Sequence, residues 1–109
     1  MGFEEEAMQL IVNAGNAKSH AMTAISRAKE GKPDQAQQEL QESDEAMTIA
    51  HRHQTEILQM TLDDPDQGMG MIMVHAQDHL MAAVTILDMA REFCDLYALI
   101  HKQGLGGRV

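Results

Sequence analysis

Leu10, Ala14, Ala17, Ala21, Ala24 and Ala28 recur at alternating spacings of four and three residues. That period follows one face of an α-helix and excludes a strand, whose side chains change face at every residue. A row of alanines has little bulk, so the helix that carries it must lie close against a neighbour. Met8, Ile11, Gly15, Met22 and Ile25 lie beside the row and widen its apolar face.

Two clusters of breakers set the ends of the elements. Gly31 suits a helix C-terminus, and Pro33 followed by Asp34 suits the first turn of the next helix. The second cluster runs through Asp63, Asp64, Pro65 and Asp66 to Gly68 and Gly70. Helices are expected over about 4–30, 33–62 and 69–102, with a frayed glycine-rich tail over about 104–109. In the middle segment Ala36, Leu40, Met47, Ala50, Ile57 and Leu58 form a narrower stripe. His51 and Gln54 lie on the same line and need partners if they are buried.

At 109 residues the chain is long enough for one core and is read as a single domain, 1–109. Only 3% of it is aromatic, with ten Met and no Trp, which favours packed helices over strands. The formal net charge of −9, with eight Lys and Arg, argues against nucleic acid and for a basic protein partner or a divalent cation. Cys94 is the one cysteine, which leaves no intramolecular disulfide and fits a reducing cytoplasm. The Met-Gly-Phe-Glu-Glu-Glu start has no signal-peptide pattern, and no stretch approaches the roughly 18 apolar residues of a membrane span. Direct membrane insertion is therefore not expected.

The third segment is apolar around almost its whole circumference, apart from an arc holding Gln77, Thr85, Asp88, Glu92 and Asp95. A small three-helix monomer needs one apolar face of roughly 100° on each helix, so the excess predicts burial between subunits. Within this segment the run Val74-His75-Ala76-Gln77-Asp78-His79-Leu80-Met81 carries the ionisable groups. Asp78 falls about 60° to one side of His75 and His79 about 40° to the other, placing the three on one surface. Ionisable groups in an apolar sector must be exposed in a cleft, paired or bound to a ligand.

The residue pattern eliminates some chemistries and leaves others open. A zinc protease needs a Glu where Ala76 stands, and a carboxylate di-iron bundle needs Glu-x-x-His pairs that the chain lacks. Cys94 has no positioned base. A nucleophilic imidazole remains, since a neutral His ring offers one free nitrogen while the other is held by a hydrogen bond. A non-enzymatic helical adaptor with structural histidines is an alternative, as is a bundle that binds a transition metal through His75 and His79.

The run 74–81 resembles the active-site signature of the lactose/cellobiose-type IIA components of the bacterial sugar phosphotransferase system. Ala14-Gly15-Asn16-Ala17-Lys18-Ser19 and Ala50-His51-Arg52-His53-Gln54-Thr55 are similar to further segments of that family, so the resemblance spans about residues 8–101. It implies an antiparallel three-helix bundle that assembles as a homotrimer of nine helices. It also implies a phosphotransferase component whose His75 accepts a phosphoryl group from HPr and donates it to the IIB component of a sugar transporter. The cargo would be a β-linked disaccharide such as cellobiose or lactose. Gln77 and His79 would be neighbours of the phosphoryl site. Asp78 would lie at the threefold axis, where three copies hold a divalent metal, with magnesium the natural choice for an oxygen-rich site. The segment Thr61 to Met71 and the glycine-rich end depart from the family pattern.

Overall fold

The computed structural model describes residues 2–66 and 70–104. Three helices account for nearly all of them: α1 (Phe3–Lys29), α2 (Pro33–Asp63) and α3 (Met71–Lys102). The expectation of a frayed tail falls, from residue 105 onward, outside the described residues.

The α1–α2 junction follows from its residue types. Gly31 takes a positive φ of 78°, a conformation that costs a side-chain-bearing residue energy. Its amide donates to the Ala28 carbonyl and the Lys32 amide to that of Arg27, which satisfies two carbonyls that the helix end would leave free. Pro33 then opens α2 at a position where a missing N–H costs nothing.

The alanine row is the centre of the molecule. Leu10, Ala14, Ala17, Ala21, Ala24 and Ala28 are all buried, and α1 packs against both other helices while α2 and α3 meet sparsely. Ala36, Leu40, Met47, Ala50 and Ile57 of α2 and Ala76, Leu80, Ala83, Leu87 and Ala90 of α3 complete the core. Leu58 differs from the expected stripe: about 100° further round than Ile57, it faces outward and is half exposed. Met8 and Met22 are exposed for the same reason, because the alanines beside them already fill the contact.

Polar contacts fix the directions of the helices. His53 Nδ1 lies 2.5 Å from Glu6 Oε2, joining late α2 to early α1, so these helices run antiparallel. His101 Nε2 lies 3.2 Å from the Lys29 carbonyl oxygen, placing the C-terminal ends of α3 and α1 together. The buried Ser43 hydroxyl donates to the Ala17 carbonyl over 2.6 Å where α2 crosses the alanine row. The bundle measures 57 × 18 × 15 Å.

Candidate functional site

α3 begins at Met71, so His75 stands in its second turn, where the helix dipole gives little help to a bound anion. Ala76 and Leu80 anchor this turn in the core and turn His75 outward to solvent. One helical turn on, His79 is half-buried and meets it. The ring centroids are 4.5 Å apart, the planes are nearly perpendicular at 84°, and the two Nε2 atoms are separated by 3.2 Å. Two imidazole nitrogens at that distance share one proton, so one donates and the other presents its lone pair. The i, i+4 spacing alone made this pair legible.

Asp78 is exposed, on the side of His75 away from His79. It sits among exposed apolar residues, between Val74 and Met81, and lines a shallow depression with Met73, Val74, Gln77 and Met81. Gln77 is on the far flank of α3 from His75 and faces α2 rather than the imidazole pair. Its Oε1 accepts from Gln54 Nε2 over 2.9 Å, and Gln54 Oε1 lies 3.3 Å from His51 Nδ1. Within one chain the fold thus brings His75 to His79, and separately joins Gln77 to Gln54 and His51. These last two stood out in the sequence as polar residues on an apolar line, but nothing there named their partner.

Sequence reasoning missed a third cluster. His20 Nδ1 of α1 lies 2.7 Å from Glu39 Oε2 and 3.3 Å from Glu42 Oε2 of α2. The ligand atoms of these residues all fall within 4.8 Å of one another, so they form a group that could hold a metal ion. Glu39 and Glu42 share a helix face by their spacing of three, but only the docking of α1 brings His20 to them. Away from these groups, burial and then the charge of Asp95 push the Cys94 thiol above its ordinary range, which leaves it a poor nucleophile.

Fold and site together define a class: a long helical bundle that presents an imidazole pair at the surface of one helix, backed by alanine packing. The family follows from comparison. The model of the family "PTS system, Lactose/Cellobiose specific IIA subunit" matches residues 5–98, and the chain belongs to this family. It is thereby an enzyme IIA component of the phosphotransferase system. The lichenan-specific phosphotransferase enzyme IIA component of Bacillus subtilis is 43% identical over 92% of this chain and 91% of its own length. The crystal structure of the cellobiose-specific enzyme IIA from Bacillus anthracis superposes with a TM-score of 0.87 at 39% identity, covering 94% of each chain. The Escherichia coli IIA(Chitobiose), solved in complex with HPr, gives a TM-score of 0.81 at 30% identity over 93% of this chain and 98% of that one. No described helix is long and apolar enough to cross a membrane.

Proposed function

We propose that this chain accepts a phosphoryl group from HPr on His75 and passes it to a IIB component during uptake of a β-linked disaccharide such as cellobiose or lactose. The observation that carries this reading is the exposed imidazole of His75, in contact with His79 through their Nε2 atoms. If His79 donates, the hydrogen bond keeps His75 Nε2 unprotonated, with the ring proton on Nδ1, and the His79 N–H must swing off that lone pair as the phosphoryl donor arrives. That lone pair forms the new N–P bond as the donor's bond to phosphorus breaks, and the donor keeps the electron pair and takes up a proton. The His79 N–H then has a phosphoryl oxygen to donate to, so one side chain serves both states. Transfer to the IIB component repeats the exchange with His75 as leaving group. Every partner in this relay meets the chain in the cytoplasm.

The cargo is read from the family and from relatives whose names span lichenan, galactose, cellobiose and lactose. The reading includes a homotrimer built around α3, with Asp78 near the axis. A single exposed carboxylate on each chain does not hold a cation alone, but three converging ones supply the hard oxygen set that magnesium prefers. The ion would neutralise three repelling charges and hold the subunits together. The phosphoryl chemistry stays on His75.

Incubation with phosphoenolpyruvate and the upstream carriers should add one phosphoryl group per chain by intact mass, acid-labile and absent from His75→Ala. Labelling that survives this substitution removes His75 as the carrier. No labelling of the wild-type chain favours the adaptor reading.

A further inference from the structure

The Gln54–Gln77 contact has a direction in this structure. Gln54 Nε2 donates to Gln77 Oε1, and Gln54 Oε1, which can only accept, faces His51 Nδ1. With Gln54 in this orientation, the contact is a hydrogen bond when His51 carries its proton on Nδ1. The chain of donors runs from His51 through Gln54 to Gln77, and it commits the Gln77 carbonyl to α2 while its Nε2–H groups make no hydrogen bond among the described residues.

Within one chain those groups have no route to His75. Measured round α3 from Asp78, His75 lies about 60° to one side and Gln77 about 100° to the other. Around a threefold axis through the Asp78 arc, the His75 flank of each α3 meets the opposite flank of the next. That flank holds the depression lined by Val74, Gln77, Asp78 and Met81. The parallel copies of a threefold assembly also keep level: residues 75 and 77 differ by about 3 Å in height along α3.

We infer that Gln54, braced by His51, is a positioning residue that holds Gln77 as a donor toward the phosphoryl group carried by the partner subunit's His75. This rests on the proposed trimer and phosphohistidine. It adds to them that each site is completed across a subunit boundary by a polar relay that starts on α2. A phosphoryl oxygen needs donors, and an amide turned the other way would present its carbonyl and repel it.

The test uses complementation. Gln54→Leu and Gln77→Leu should each slow phosphorylation of His75 by about tenfold, the loss expected for one hydrogen bond to a charged group, and the double variant should be no slower than Gln77→Leu. Co-expressed with His75→Ala chains, which keep the relay but lack the carrier, Gln54→Leu chains should be phosphorylated faster per His75 than in their own trimers. In ¹⁵N spectra His51 should be protonated at Nδ1. An unchanged rate in Gln54→Leu, losses that multiply in the double variant, no gain in the mixed trimers, or a His51 proton on Nε2 each overturns the inference. A wild-type chain that takes no phosphate on His75 overturns the proposed function instead, so the two failures are distinguishable.

Discussion

A single proton between His75 and His79 gives the two imidazoles different duties, and substitution should separate them. In the proposed relay, removing His75 should abolish phosphorylation, whereas His79→Phe keeps a ring of similar shape but loses one charge-assisted hydrogen bond. Phosphorylation of that variant should slow by about ten- to a hundredfold without disappearing, read as the initial rate of mass gain. Cys94 offers a second test. The folded chain holds its thiol protonated through burial, so ionisation sets in at lower pH in the unfolded chain. Stability is unaffected by this group below the ordinary thiol range and falls as pH climbs through that range, because the unfolded state releases its proton first. Denaturant unfolding at alkaline pH should record the decline, and Cys94→Ala should flatten it. How much a residue's role was legible depended on how local its partner was. His75 and His79 are four apart, so helical spacing alone paired them. Gln77 and Gln54 are joined only by the rotation of α2 against α3, which depends on packing along the whole interface. The same holds for His53 with Glu6 and for His20 with Glu39 and Glu42.

At the scale of the element, the alanine row determines how near the helices come. Ala17, Ala21 and Ala24 have no exposed surface and leave no space for a larger side chain. Ala21→Leu should destabilise the bundle by about 1–3 kcal/mol in denaturant unfolding, by forcing helices apart or side chains out of their rotamers. An unchanged midpoint would mean that α1 is not held on both sides. Gly31→Ala adds a methyl 3.3 Å from His101 Cε1 at a positive φ, and it should cost about 1 kcal/mol. The row was readable because α1 is buried along its length, so its period is nearly pure. The stripe on α2 was less so, since that helix is covered mainly by α1 and its outer apolar residues, such as Leu58, answer to no partner within the chain.

The whole molecule is a rod rather than a sphere. Its radius of gyration is 17.0 Å, where a compact chain of this length has about 13 Å. Its accessible surface is 6876 Å², against about 6000 Å² for a typical monomer of this mass. Most of the exposed large apolar side chains lie on one helix: Val74, Met81, Met89, Leu96 and Leu99 of α3 are each about half exposed or more, and Phe93 is 38% exposed. Patterning read this surplus correctly as an α3 with more apolar surface than a three-helix chain can cover, since α2 and α3 packed on an alanine-lined α1 leave the outer face of α3 open. In the proposed trimer that face would be buried against two further copies and removed from water, with Asp78 and Glu92 as the carboxylates lying on it. Two substitutions should therefore act in opposite directions. Asp78→Leu replaces three repelling carboxylates with apolar surface and should keep or tighten the trimer, now indifferent to chelators. Leu96→Lys, further along the same arc, places three like charges where no cation site exists and should yield monomers. Light scattering across a dilution series distinguishes these outcomes. A wild-type chain that stays monomeric would overturn the trimer itself, and a Leu96→Lys chain that remains a trimer would place the subunit contact on some other face.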